Sequence, residues 1–130
     1  MIVVAHDAGH ELRVGETFRS QARQTQVFKQ GFSQLRKVGC HGYGVACDLQ
    51  LFVNGAYDPN GSHYLFFQDL CKQVGLISGI DWGTPEHAHS FKDYDHVQNV
   101  PVFRQTELFN GTWYPTPNYD PIADQKANGP

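Results

Sequence analysis

The residues best suited to chemistry in this chain lie in two short, separated segments. The first is Gly39-Cys-His-Gly-Tyr-Gly-Val-Ala-Cys-Asp48, which runs into the apolar stretch Leu49 to Val53. Alternation over its second half puts Cys47, Leu49, Leu51 and Val53 on one side of a strand and Ala46, Asp48 and Gln50 on the other. Asp48 therefore belongs to the polar face of a strand whose opposite face suits a core. His41 precedes it across a loop loosened by Gly42 and Gly44, so its imidazole can turn back towards the carboxylate. An imidazole and a carboxylate converging beside the small Ala46 make two legs of a zinc site with room left for water and substrate. The same residues also serve as a turn histidine and an ordinary strand-face aspartate, and this segment alone does not choose between the two.

The second segment, Phe91-Lys-Asp-Tyr-Asp-His-Val-Gln98, supplies a third leg. On a strand, His96 shares one face with Tyr94 and Gln98, while Val97 goes to the other. If this strand runs beside the one that carries Asp48, then His41, Asp48 and His96 form a triad. Three protein ligands leave a fourth tetrahedral position open, the pattern of a catalytic zinc and not of a closed structural one. Such an ion lowers the pKa of its water towards ~7, and a nearby carboxylate can accept the proton. Asp93, three residues before His96 at the expected loop-to-strand junction, is placed to be that base. Asp95 points away from His96 in an extended segment and ranks lower.

The elements that must position these groups follow from local signals. Residues 1 to 10 read as a short apolar run ending in a turn at Asp7-Ala8-Gly9. Glu11 to Phe18 alternates as a strand, with Leu12 and Val14 on one face. Ser20 suits the cap of a helix that starts at Gln21 and stops at Gly31. Phe32 to Gly39 is a basic loop or irregular helix. Asn54-Gly55 and Asp58-Pro-Asn-Gly61 are turns, after which Ser62 is expected to cap a second helix with Leu65, Phe66, Leu70 and Val74 on its apolar stripe. Leu76 to Trp82 leads into a loop, Gly83 to Ser90 is polar and histidine-rich, and Phe91 to Val100 reads as a strand. Val102 to Phe109 suits a short helix. From Gly111 onward Pro115, Pro117, Pro121 and Pro130 predict an extended or partly disordered tail. The pattern is a single α+β domain, helices packed on a small antiparallel sheet, with catalysis in residues 1–110 and a proline-rich tail over 111–130.

Composition bounds the function. At 130 residues the chain is one domain by length, and 40% hydrophobic with 18% charged residues is ordinary for a globular protein. A formal net charge of -3 argues against nucleic acid or an anionic membrane as main partner, since both favour basic surfaces. No stretch approaches the roughly 18 uninterrupted apolar residues of a membrane span. The opening Met-Ile-Val-Val-Ala-His-Asp lacks the basic start and length of a signal peptide. Cys40, Cys47 and Cys71 are an odd number with no CxxC pair, which fits synthesis in a reducing cytoplasm better than a disulfide framework.

Several motifs together resemble a known family. Phe18-Arg19-Ser20, Gln24, His41-x-x-Gly44-x-Ala46-x-Asp48, Trp82 and Asp93-x-x-His96-x-Gln98 look like the M15 peptidases, in the family's order and approximate spacing over residues 11 to 100. HxxGxAxD alone is weakly specific; joined to FRS before it and DxxHxQ after it, it is much more so. These are the zinc D-alanyl-D-alanine carboxypeptidases and the L-alanyl-D-glutamate endopeptidases found among phage endolysins. The resemblance implies a hedgehog/D,D-peptidase-like fold, zinc bound by His41, Asp48 and His96, and Asp93 as catalytic base. It implies that Arg19 holds the substrate or its tetrahedral oxyanion, a role that suits a permanently charged group with two parallel donors, and that Ser20, Gln24 and Trp82 border the substrate. There are departures. Gly39 stands where the family usually has Ser, and Val97 where an aromatic residue is common. Asp93, where many carboxypeptidases carry Glu, looks more like the endopeptidase branch.

The expected reaction is hydrolysis of an amide in the peptide stem of peptidoglycan by an L-alanyl-D-glutamate endopeptidase, made in the cytoplasm as a monomer and released to the wall by another protein. A D-Ala-D-Ala carboxypeptidase is the nearest rival; it would need a cation for the substrate's free carboxylate, with Arg13, Arg23, Arg36 and Lys37 as candidates. A non-catalytic zinc- or wall-binding module, or a virion-associated structural protein, is the rival from another class. His87-Ala-His89 is a decoy better read as a loop near the cleft mouth. Asp58, Asn60 and Ser62 faintly resemble a calcium loop but are better read as a turn and helix cap. His6, His10 and His63 read as surface residues, Cys47 as a core residue, and Cys40 as pointing away from its neighbour His41.

Overall fold

The computed structural model describes residues 1–33, 39–82 and 91–130. Arg36, Lys37 and the His87-Ala-His89 pair lie outside the described residues. The chain runs α1 (Ile2–Asp7), β1 (Glu11–Val14), α2 (Gln21–Lys29), β2 (Ala46–Val53), β3 (Ala56–Tyr57), α3 (Phe66–Gln73), β4 (Ile77–Ser78), β5 (His96–Gln98), α4 (Val102–Asn110) and α5 (Pro121–Asn128). Short 3-10 turns at Cys40–Tyr43, Gly61–Tyr64 and Gly79–Asp81 interrupt the connections. This is the α+β arrangement that the alternation and capping signals predict.

The eight residues of β2 form the sheet's axis. β1 pairs with it antiparallel on one side and β5 antiparallel on the other, giving the order β1-β2-β5-β4 with β3 folded back onto β2. The β2–β3 hairpin turns at Asn54 and Gly55, whose φ angles of 51° and 79° are those the Asn-Gly pair adopts most easily. Period-two alternation sends Leu49 and Leu51 into the main core with Leu12, Val97, Tyr64, Phe67, Leu70 and Cys71. Phe67, Leu70 and Cys71 are spaced i, i+3, i+4, so α3 lays one stripe against that sheet face. The Tyr64 hydroxyl accepts the Leu51 N–H at 2.7 Å and donates to the Asp58 carbonyl at 3.2 Å, so this polar group is satisfied within the core.

Because β2 and β5 are antiparallel with Asp48 directly opposite His96 and Cys47 opposite Val97, both polar residues fall on the sheet face away from that core. A smaller cluster of Cys40, Ala46, Val100 and Leu108, with Trp113 and Tyr119 against it, fastens α4 and the C-terminal segment near the same face.

Several local expectations differ from the structure. Residues 2–7 are helical, not merely an apolar run. Ile77–Ser78 pair with β5 as a fourth strand, and Ile77, Ser78 and Ile80 are buried, so the stretch from Leu76 to Trp82 is not simply the entry to a loop. The strand expected over Phe91 to Val100 is cut to three residues, because the chain bends at Tyr94 and Asp95 before it joins β2. Ser62 does not cap α3; Asn60 Oδ1 accepts the Ser62 N–H and caps the 3-10 turn instead. Val14 and Val53, each the last residue of its strand, are exposed.

The segment after Gly111 is not extended throughout. Pro121 opens α5, where its missing N–H costs nothing, and Asp120 Oδ1 accepts from the N–H groups of Ile122 and Ala123. The Asp124 carboxylate accepts from Arg104 Nε, Tyr119 Oη and Asn128 Nδ2, each at 2.8 Å, while the Arg104 guanidinium lies 4.5 Å over the Trp113 ring. Gln125 Nε2 donates to the Asn99 carbonyl at 2.7 Å, tying α5 to the end of β5.

The Arg104 hydrogen bonds hold the Asp124 carboxyl down to about 2, against the opposing effect of burial, from an ordinary 3.8. A depressed acid stabilises fully above its unfolded pKa and loses that contribution as pH falls through the folded one. Thermal stability is therefore expected to drop between pH ~4 and ~2 through this group. Asp124→Asn should cost about 2 kcal/mol at pH 7 and flatten that acid slope. Unfolding curves of both proteins at pH 7, 4 and 3 test this, and an unchanged slope in the variant would remove Asp124 from the role.

Candidate metal centre and cleft

His41 sits in the 3-10 turn Cys40–Tyr43, which closes on Gly44 at a φ of 70°, a left-handed value that costs glycine little. The turn buries the ring and directs Nδ1 at the Thr17 carbonyl, 2.8 Å away. A carbonyl only accepts, so Nδ1 carries the proton and Nε2 presents a lone pair. His96 is oriented from the other side. Its Nε2 lies 3.1 Å from Gln98 Oε1, which also accepts from Gln105 Nε2 at 2.7 Å, while Gln98 Nε2 donates to the Val100 carbonyl at 2.8 Å. With Gln98 fixed that way round, His96 donates from Nε2 and leaves Nδ1 bare.

The two bare nitrogens, His41 Nε2 and His96 Nδ1, are 3.1 Å apart, and Asp48 Oδ1 stands 3.2 Å from the first and 3.6 Å from the second. Asp48 Oδ1 is buried and takes no hydrogen bond. Three electron-pair donors thus face one point with no proton between them, which is repulsive unless a cation occupies it. Their ligand atoms all lie within 4.8 Å of one another. Two imidazoles and one carboxylate are the donor set of an open zinc site, so these residues fit the ion. A proton is the cation's competitor. Burial pushes the His41 pKa down, but Asp48 outweighs it and the value is raised above 6.5. Burial pushes Asp48 up, and the two imidazoles more than reverse this, keeping it ionised.

A cavity of about 540 Å³ opens over this trio, lined also by Glu16, Arg19, Gln24, Trp82, Asp93 and Asp95. The Arg19 guanidinium donates through Nε and Nη2 to Glu16 Oε2 at 3.0 and 2.6 Å and through Nη1 to Gln24 Oε1 at 3.1 Å; its Nη2 is 3.6 Å from Asp48 Oδ2. Gln24 is buried at the base of α2 and donates to Ser33 Oγ at 2.9 Å. Trp82 walls the cavity with its ring edge-on to His96, centroids 5.0 Å apart. Ser20 stands elsewhere: its Oγ accepts the Arg23 N–H at 3.2 Å and caps α2.

Asp93 Oδ2 lies 4.0 Å from His96 Nδ1, facing the point that the ligand nitrogens face. Gly79 allows this, since a Cβ there would collide with the Asp93 carbonyl. Burial raises the Asp93 carboxyl, His96 offsets part of that, and the carboxylates of Asp48 and Asp95 push it further up, to about 7. Asp95 corrects the reading from extended geometry. The bend before β5 brings it onto the cavity wall, where its carboxyl shares a hydrogen bond with Asp93 while its carbonyl accepts from Leu49 N at 2.8 Å. Tyr94 does not share the face of His96; its ring covers Gly61 at the surface.

Glu16, Thr17 and Gln105 are site residues that the motifs did not show. Glu16 had a signal in its spacing of three and seven residues from Arg19 and Arg23. Thr17 contributes a backbone carbonyl, which side-chain identity does not reveal, and Gln105 arrives from a later helix. Cys40 is buried in the apolar cluster with Ala46, Val100 and Leu108, and its sulfur is not among the ligand atoms that converge with those of His41, Asp48 and His96. Asp58 binds the Asn60 N–H at 2.9 Å and His63 Nδ1 at 2.6 Å, a turn and not a calcium loop, so His63 has a partner, as does His10, stacked 3.6 Å from Phe66.

No protein-family model matches the chain, and no curated protein matches it either. Solved structures do. The L-Ala D-Glu endopeptidase ChiX of Serratia marcescens aligns over 68% of this chain at 23% identity with a TM-score of 0.55, and the chain spans 66% of that enzyme's length. A mutant of the vancomycin-resistance D,D-pentapeptidase VanY in complex with Zn(II) aligns over 87% of this chain and 74% of its own at 14% identity, TM-score 0.56. VanYB in complex with D-alanine-D-alanine covers 99% of this chain and 77% of its own at 12% identity, TM-score 0.58. Among the described residues no helix is long and apolar enough to cross a membrane. These likenesses carry the architecture: the chain shares the α+β fold of these peptidases, as the resemblance in its motifs implies.

Proposed function

We propose that this chain is a zinc-dependent hydrolase of an amide bond in the peptide stem of bacterial peptidoglycan, and specifically an L-alanyl-D-glutamate endopeptidase acting at the cell wall. The observation that carries the reading is the buried convergence of His41 Nε2, His96 Nδ1 and Asp48 Oδ1 on one point at the floor of an open cavity. The fold shared with ChiX and the VanY enzymes supports it. In this reading residues 1–110 carry catalysis, and the segment over 111–130 braces α4 against them.

His41, Asp48 and His96 would hold the zinc, which supplies Lewis acidity to the scissile carbonyl and makes water acidic enough to ionise near neutral pH. Asp93, with Oδ2 4.0 Å from His96 Nδ1, borders the same point, so it can take a proton from the attacking water and return it to the leaving amine. Arg19, held by Glu16 and Gln24, presents a fixed charge beside Asp48 to the substrate carbonyl as negative charge develops on its oxygen. Trp82 and Gln24 border the substrate. The D-Ala-D-Ala carboxypeptidase remains the alternative, favoured by the likeness to VanYB. Of its candidate carboxylate-binding cations, Arg23 lines the cavity, whereas Arg13 is spent on Glu11 at 2.6 Å.

Metal analysis tests the ligand set. The wild type should carry about one zinc per chain and His96→Ala should carry far less, while equal occupancy in both would contradict it. Binding requires His41 without its ring proton on Nε2, so zinc affinity should fall as pH drops through its raised pKa. Calorimetry across pH 5 to 8, showing proton release on binding, checks the sign. For the base, Asp93→Ala should keep its zinc and lose about 10² to 10⁴ of the turnover on purified peptidoglycan. Identifying the new amino termini separates the two activities, since release of D-alanine alone would favour the carboxypeptidase.

A further inference from the structure

Both stem activities share a chemical feature next to the scissile bond. The residue that supplies the leaving amine carries an α-carboxyl group, a free carboxylate on a terminal D-alanine and either a carboxylate or a carboxamide on D-glutamate. Which of these the cavity accepts depends on its charges. Among the described residues its cations are Arg19 and Arg23, against the carboxyl groups of Glu16, Asp48, Asp93 and Asp95.

Glu16 engages both cations at once. Its Oε2 accepts from Arg19 Nε and Nη2 at 3.0 and 2.6 Å, and its Oε1 accepts from Arg23 Nε at 2.9 Å. The backbone fixes the arrangement, because the Glu16 carbonyl accepts the Asp48 N–H at 2.7 Å and so locks it beside a zinc ligand. Arg19 Nη1 and Arg23 Nη1 are taken by Gln24 at 3.1 Å and Gln26 at 2.9 Å. Gly39, also on the cavity wall, brings no side chain that could donate to an anion.

Resting on the hydrolase reading, we infer that Glu16 is a specificity-determining residue: by offsetting the charge of both guanidiniums it sets the cavity against a carboxylate beside the scissile amide and in favour of a carboxamide. An incoming carboxylate, whether it takes N–H groups that Glu16 leaves or competes for those it holds, lies next to the negative charge of Glu16; a neutral carboxamide does not meet that repulsion. Removing the Glu16 charge frees three N–H groups and adds one unit of positive charge to the wall.

The test uses zinc-loaded protein and two synthetic stem peptides that differ only in the α-carboxylate or α-carboxamide of D-glutamate. The wild type should favour the amide in kcat/KM by about fivefold, the scale of one partly exposed charge pair, and Glu16→Gln should abolish or reverse the preference. Glu16→Asp, which keeps the charge but shortens the arm, should fall between and serves if the glutamine variant does not fold. Loss of a merely structural contact would lower both rates together and leave their ratio intact. A wild type that prefers the acid, or a ratio unchanged in both variants, overturns the inference. Calorimetry with N-acetyl-D-alanyl-D-alanine and its amide, on protein that also carries Asp93→Ala, reads the same ratio without turnover. If the wild type cuts neither peptide, the hydrolase reading falls while the binding ratio still decides the role of Glu16.

Discussion

Three lone-pair donors brought within about 4 Å of one another in a buried place constrain everything around them. An orphaned buried carboxylate oxygen such as Asp48 Oδ1 costs on the order of 1–3 kcal/mol, and two imidazole nitrogens aimed at it and at each other add repulsion. A fold keeps such an arrangement only where a cation relieves it or where outside contacts hold each group in place. Here the contacts are identifiable. The β2–β5 register puts Asp48 opposite His96, the Thr17 carbonyl selects the tautomer of His41, and the Gln105–Gln98 pair selects that of His96. The converging atoms are thus set by groups that do not themselves reach the point of convergence, and their supporting shell extends through α4 to the C-terminal helix.

Around that point the cavity divides its charges by task. Asp93 and Asp95 form a hydrogen-bonded carboxyl pair on one wall, where burial and the neighbouring carboxylates raise both pKa values. Glu16, Arg19 and Arg23 form a compensated cluster on the other, where Glu16 keeps a lowered pKa despite burial because both guanidiniums donate to it. In the proposed mechanism one side moves a proton and the other holds position.

Much of this was legible in the residues themselves. Alternation placed Asp48 and the Leu49/Leu51 pair on opposite faces of β2, and the DxxHxQ spacing put His96 where an antiparallel neighbour would meet Asp48. Ser20 and Gly31 bounded α2 because capping and left-handed termination are local physics. What escaped was non-local. The bend that turns Asp95 into the cavity depends on its carbonyl pairing with Leu49, a contact no spacing within the segment encodes. The prolines after Gly111 suggested an open chain, yet one of them starts α5, which an ion pair from α4 then holds; sequence-local composition does not weigh a partner seventeen residues before Pro121. The brevity of β5 likewise reflects competition from the Gly79 turn for the Asp93 backbone.

The central claim is that one zinc ion sits between His41, Asp48 and His96. X-ray absorption at the zinc edge of the loaded protein reads this without any assay of activity. The account predicts two imidazole nitrogens and an oxygen-rich remainder at about 2.0–2.2 Å, with no sulfur. A sulfur shell at about 2.3 Å, which would bring in Cys40 or Cys47, or a single imidazole in the coordination sphere, would contradict it.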